Sequence, residues 1–321
     1  MEFPSVRLPA ATGAMVMATG IVAYGARLLR WDPVADAWLA LAGAIWICLV
    51  VSVPLRLAGD RMGLGAEMRS PVSLSWVAAT AVLGVNALAL HLDAVGSGLA
   101  ALAAALLLGV AHPVLASWAR PTEGTSFLLT VALEGVGGVL AELAAATRWS
   151  GLLYAGVALW LLGLCAYVFV VRDFDWRQLH AGRGDHWVAG GALAIATLVA
   201  GDLYRVRWVA GGQLRPGDPL VLAVLLPWCA CSLLMALLVG AELRRPRWHF
   251  HGLRWATVFP VGMYGACTLG LGQALGARAL HDLGAAWVAL GLVSWVLVAV
   301  AALASLRASD LEVEGAGSGP S

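Results

Sequence analysis

The chain has 321 residues, of which 61% are hydrophobic and 12% charged, with a mean hydropathy of +0.84 and a formal net charge of +1. A soluble domain carries roughly 25% charged residues, so a fully water-facing surface is excluded and lipid must be the main solvent. The small net charge gives no basis for a nucleic-acid partner. All 20 basic residues are arginine, which together with abundant Ala and Gly reads as composition bias.

A helix needs roughly 20 mostly apolar residues to cross the hydrocarbon core. In chain order, such spans are expected over 9–29, 34–57, 73–91, 96–118, 125–146, 150–171, 186–204, 218–242, 255–277 and 283–306. The first run leads into a multi-span chain and reads as a retained span rather than a cleaved signal. Residues 1–8 form a short N-terminal segment and 9–306 one transmembrane domain. The tail over 307–321, acidic and then Gly/Ser-rich, is expected to be disordered. Polar breaks mark the boundaries: Arg30 to Pro33, Arg61 to Pro71, Arg120 to Glu123, Arg172 to Arg177, and the most basic one, Arg244 to Arg247. With the N-terminus inside, thirteen arginines fall on inner segments and seven on outer ones. The positive-inside rule then puts both termini in the cytoplasm, in a multi-pass protein of the cell membrane. Short connections predict antiparallel helical hairpins.

Odd and even spans differ in composition. Spans one, five, seven and nine are rich in glycine, among them Gly20, Gly191, Gly262 and Gly265. Glycine permits either close helix contact or a lumen, and both readings stay open. Embedded acids separate the sets further: Glu134 and Glu142 lie in span five and Asp202 in span seven, whereas the even-span interiors carry no charge. A carboxylate at membrane depth costs several kcal/mol unless protonated, paired or wet. The odd spans should therefore face protein or a cavity, and the even spans lipid. Asp202 is expected to pair with Arg205 or Arg207, and Glu142 with Arg148. Glu134, near mid-span, either serves the transported species or a proton, or is a neutral acid bonded to a neighbouring helix.

Other candidates carry little. Cys48, Cys165, Cys229, Cys231 and Cys267 sit in apolar runs and read as small hydrophobes, with spacings that suit neither zinc nor a disulfide framework. His249 and His251 form an H-x-H without further ligands nearby, so no metal site is expected. No nucleotide fingerprint, phosphate loop or nucleophile elbow is present. Neither a cofactor nor an enzymatic role is expected. Trp31, Trp38, Trp118, Trp176, Trp187, Trp208, Trp248 and Trp255 fall near span ends, as interfacial anchors would.

Three stretches resemble one family. Span one reads Met15-Val16-Met17-Ala18-Thr19-Gly20-Ile21-Val22. Span seven begins His186-Trp187 and continues Gly191-Ala192-Leu193-Ala194-Ile195. Span nine reads Trp255-Ala256-Thr257-Val258-Phe259-Pro260-Val261-Gly262-Met263-Tyr264. In order and spacing these are similar to the tellurite-resistance/C4-dicarboxylate transporter family, which includes bacterial tellurite-resistance proteins, fungal malic acid permeases and plant slow anion channels. The resemblance covers residues 9–306. It implies ten helices as five hairpins around a central pore, odd helices inner and even helices outer, in a homotrimer with one pore per protomer. It implies small inorganic or dicarboxylate anions such as malate as the transported partners, in a lipid bilayer. It also implies a pore gate at Phe259. A ring across an apolar constriction gates by dewetting. Pro260 removes a helix donor, and Gly262 and Gly265 ease repositioning, so these three would form the gate's hinge. Packing is the plainer alternative for Phe259 and Pro260. Gly20, Gly191, Glu134 and Glu142 would be pore-lining or proton-linked. One departure stands out: Glu134, in Val131-Ala132-Leu133-Glu134-Gly135, replaces a neutral amide of the family pattern. A fixed negative charge would repel anions, and protonation would cancel it, so proton-linked carboxylate transport is one expectation and a passive chloride or nitrate channel the other.

Overall fold

The structure, a computed structural model, describes residues 11–181, 184–208, 220–246 and 251–317. Ten long helices are numbered here in chain order. They are α1 (Ala11–Leu28), α2 (Asp32–Gly59), α3 (Leu74–Ala89), α4 (Asp93–Ala116), α5 (Leu128–Thr147), α6 (Ser150–Arg172), α7 (Val188–Trp208), α8 (Leu220–Arg244), α9 (Trp255–Leu275) and α10 (Arg278–Gly317). A short helix, Arg61–Met68, joins α2 to α3, tied down by an ion pair between Arg56 and Glu67. Four of the odd helices open with a 3₁₀ turn: Pro71–Ser73, Gly124–Phe127, Asp185–Trp187 and Gly252–Arg254.

Among the described residues, nine helices are long and apolar enough to cross a membrane, every one of the ten except α1. Helix α1 has 18 residues and carries Gly13, Gly20, Gly25, Thr12, Thr19 and Arg27, which dilute its hydropathy. At the other end, α10 runs to Gly317, so residues 307–317, expected as an unstructured tail, continue the helix. Their Ala, Leu and Glu content favours that state. The leading segment 1–8, His249, Arg247 and Trp248 lie outside the described residues, as does part of the α7–α8 connection.

Burial follows helix number. The apolar windows of α3, α5, α7 and α9 are 78–89% buried, and those of the even helices only 11–33%. The even helices project Leu108, Leu233 and Leu297 outward, each more than half exposed, as lipid-facing surfaces can in an apolar solvent. Each odd helix packs on the even helix that follows it, and α1, α3, α5, α7 and α9 pack side by side into a closed ring in which α9 returns to α1.

Two kinds of contact set this arrangement. Glycines bring the hairpin partners together. A Cβ at Gly265 would stand 2.6 Å from the Val288 nitrogen, and one at Gly284 would stand 2.5 Å from the Leu269 nitrogen, so α9 and α10 touch backbone to backbone. Indole N–H groups tie four of the five even helices, all but α4, to the next odd helix around the ring. Trp46 on α2 donates to Thr80 on α3 (3.0 Å), Trp160 on α6 to the Ala196 carbonyl on α7 (3.0 Å), Trp228 on α8 to Thr268 on α9 (3.1 Å), and Trp295 on α10 to Thr19 on α1 (2.9 Å). Hairpin contact and indole bond therefore hold α2, α6, α8 and α10 each across two inner neighbours.

Candidate functional site

The ring encloses a stepped cavity. Its wide part, about 190 Å³, lies where α1, α7 and α9 finish, and it is lined by Tyr24, Thr197, Asp202, Arg205 and Gln273 among others. Its narrow part, about 30 Å³, lies deeper and is bounded by all five odd helices, through Ile21, Val82, Gly135, Ile195 and Met263. That volume is close to one water's share of the liquid. Tyr24, Leu198 and Asp202 line both parts, so the two adjoin at these side chains.

Phe259 and Gly191 lie one helical turn beyond Met263 and Ile195, toward the starts of α9 and α7. Phe259 is 1% exposed and fully enclosed. A Cβ at Gly191 would stand 3.1 Å from Phe259 Cε1 and 2.9 Å from Pro260 Cγ, so the ring and the proline pack on the bare backbone of α7. From Gly191 to Arg205 is fourteen residues, or about 21 Å of helix at 1.5 Å per residue. The cavity thus enters from one end of the bundle and narrows toward the level at which Phe259 is packed.

The other expected residues distribute differently. Gly20 sits in the α1–α3 contact: a Cβ there would lie 2.6 Å from Val82 Cγ1, and its carbonyl accepts from buried Asn86 at 3.2 Å. It lines neither part of the cavity. Gly262 packs on Ile21 of α1 and Gly265 on the backbone of α10. Both positions serve close approach between helices. Glu134 is completely buried and neither carboxyl oxygen has a hydrogen-bond partner among the described residues. The residue borders the narrow part, but its side chain lies against outer helix α6, where a Cβ at Gly163 would come 2.4 Å from Glu134 Cγ and 2.9 Å from Oε1.

The wide part holds a charged cluster. Arg205 pairs with Asp202 one turn earlier on α7 and with Glu142 Oε1 of α5 at 3.2 Å. Glu142 therefore does not pair with Arg148, as expected from their spacing. Arg148 takes the left-handed conformation (φ 56°) past the end of α5, where the chain turns into α6. Two further expectations fail on burial. Trp187 and Trp255 are 4% and 5% exposed and sit in the core rather than at a lipid interface, whereas Trp31 and Trp176 are exposed as expected. Of the H-x-H pair, His251 caps the turn before α9, its Nδ1 accepting from the Leu253 N–H at 3.3 Å. The signal missed in the sequence was the group Trp46, Trp160, Trp228 and Trp295. Each lies within an apolar even span, where an indole N–H needs a partner.

Apolar outer helices around a ring of buried inner ones, with a blind axial cavity, define a polytopic helical membrane protein with the architecture of a conduit. The sequence narrows this further. Residues 7–303 match the voltage-dependent anion channel family, and the chain belongs to that family. It is also similar to two Mycobacterium tuberculosis proteins, each named an uncharacterized membrane protein, from strains CDC 1551 / Oshkosh and ATCC 25618 / H37Rv. Each is 29% identical over 130 residues, which is 39% of this chain. The match spans 65% of the length of each of these relatives.

Proposed function

We propose that the chain conducts small anions across the cell membrane along the axis of its five inner helices, with Phe259 as the gate. The observation that carries this reading is the stepped cavity, which narrows from 190 to 30 Å³ toward the packed level of Phe259. An aromatic ring packed one helical turn beyond so small a cavity leaves an ion no hydration shell, and such a constriction holds a pore shut by dewetting. C4-dicarboxylates such as malate are the leading substrate class. The working assembly is a homotrimer of ten-span protomers with both termini cytoplasmic and a pore in each. Pro260 leaves the Ala256 carbonyl without its helical donor, which gives α9 a place to bend beside the ring.

Glu134 supports two versions of this reading. Its unpartnered carboxyl favours a proton-linked mechanism, because a buried acid with no counter-group is expensive unless it carries a proton. Its position against Gly163, away from the axis, favours passive conduction of chloride or nitrate. Tellurite resistance would follow from either as a consequence of anion permeability.

The test is anion flux into liposomes containing purified protein. Phe259→Ala is expected to pass malate, nitrate or chloride faster than the wild type. Equal, protein-dependent flux in both would remove the gate. No protein-dependent flux in either, from correctly folded protein, would remove the conduit.

A further inference from the structure

The wide part of the cavity contains a basic group that the conduction reading does not use. The inner helices α1, α7 and α9 end there, and a helix C-terminus carries a partial negative charge. Asp202, in the lining, and Glu142, paired with Arg205, add two carboxylates. Among the described residues that line this part, Arg205 is the single cation. An anion entering from this end would meet a field of the wrong sign unless Arg205 received it.

The geometry suits reception. Both carboxylates are bonded by the same atom, Nη2 of Arg205. No described residue bonds its Nη1 or Nε. The Arg205 side chain is 49% exposed, while Asp202 is 7% and Glu142 26% exposed. The acids thus lie deeper than the guanidinium, which presents part of its donor fork to the open space. A guanidinium has five N–H donors in a planar fork that matches an oxyanion in bidentate fashion. Gln273, on the facing wall of α9, adds an amide to the same lining, whereas the Thr197 hydroxyl donates to the Leu193 carbonyl of its own helix (2.9 Å).

We propose that this space is an anion-docking vestibule for small carboxylates and oxyanions, with Arg205 as the recognition residue and Glu142 and Asp202 as restraints on it. This rests on the conduction reading above. The two acids outnumber the single base, so a docked anion competes with them for the guanidinium. Removing one acid strengthens docking. Removing the base leaves an entrance that repels anions. Replacing Arg205 by lysine keeps the charge and loses the fork, so it lowers the preference for nitrate and malate over chloride.

The experiment is carried out on the Phe259→Ala protein, so that the gate does not limit flux. Liposomes are loaded against nitrate, malate and chloride at low and high ionic strength. Adding R205Q is expected to cut anion flux roughly tenfold, the low end of electrostatic steering effects, and to flatten its dependence on ionic strength. Adding E142Q is expected to raise flux, and R205K to reduce nitrate and malate flux relative to chloride. The double substitution R205Q/D202N removes base and acid together, so that Asp202 is not left buried without a partner. It restores the parent's cluster charge without the donor fork, so flux is expected to recover part of the R205Q loss while the preference for nitrate and malate over chloride stays below that of the parent. If folded R205Q/D202N keeps the parent's preference for nitrate and malate over chloride, the vestibule proposal is overturned while the conduit stands. If the parent itself shows no flux above protein-free liposomes, the conduction reading falls and the vestibule with it.

Discussion

Gly191 offers the most direct test of how the ring of Phe259 is held. A methyl group there would stand 2.9 Å from Pro260 Cγ, 3.1 Å from Phe259 Cε1 and 3.2 Å from Phe259 Cδ1, all inside the 3.4 Å at which ordinary contact begins. The proline is part of the backbone of α9 and yields little. The ring can rotate, but it is enclosed on all sides. Overpacking of this kind costs about 1–3 kcal/mol. Gly191→Ala should therefore destabilise the protein by that amount. Phe259→Ala removes two of the three close contacts and should relieve part of the cost, so the double variant should be more stable than the sum of the singles by about 0.5–1.5 kcal/mol. The measurement is reversible unfolding of the four proteins in mixed micelles. Additivity within about 0.3 kcal/mol would mean that the ring does not rest on Gly191, and the packed level described here would be wrong.

Other outcomes follow from the same structure. Trp46→Phe and Trp228→Phe each remove one indole bond between an outer and an inner helix, and each should cost about 0.6 kcal/mol, up to about 1.7. Because the two bonds lie in separate parts of the ring, unfolding measurements should find the losses additive. Gly265→Ala places a Cβ 2.6 Å from the Val288 nitrogen. It should separate α9 from α10 and destabilise by more than the indole losses; a neutral result in the same assay would contradict the close backbone contact. In flux assays, anion passage through the wild type should rise as pH falls if Glu134 must be protonated for conduction, and Glu134→Gln should be fast and flat with pH. An unchanged pH profile in that variant would select the passive version.

Much of the architecture could be read from the chain. The position of Glu134, Glu142 and Asp202 on odd spans only, and the glycine content of those spans, separate inner from outer helices on the cost of burying charge in lipid. The span boundaries follow from Arg, Pro and Asp breaks. What could not be read is which helix meets which across the ring. Outer helices are apolar on every side, so no pattern of polarity tells Trp46 to face Thr80 or Trp295 to face Thr19. Glu142 illustrates the same difficulty. Sequence distance favours Arg148, whereas the closed ring brings in Arg205 from 63 positions away. The motif around Phe259 was legible as a motif, but the role of Gly191 as the surface beneath the ring depends on α7 and α9 lying side by side. Gly262 and Gly265 could equally be hinge or contact until their neighbours were known.

The bond from Trp295 to Thr19 joins residues 276 positions apart, and the α9–α1 contact likewise closes the ring between helices far apart in the chain. During synthesis the first four hairpins can form only an open arc, because the partner for the outer edge of α1 is the last to be made. An arc encloses no sealed passage, and its unfilled edge faces lipid until α9 and α10 arrive. Completion of the ring is thus a late, long-range step of the kind that sets slow folding. A chain stopped before residue 255 would be left with an exposed edge, a natural signal for quality control to act on.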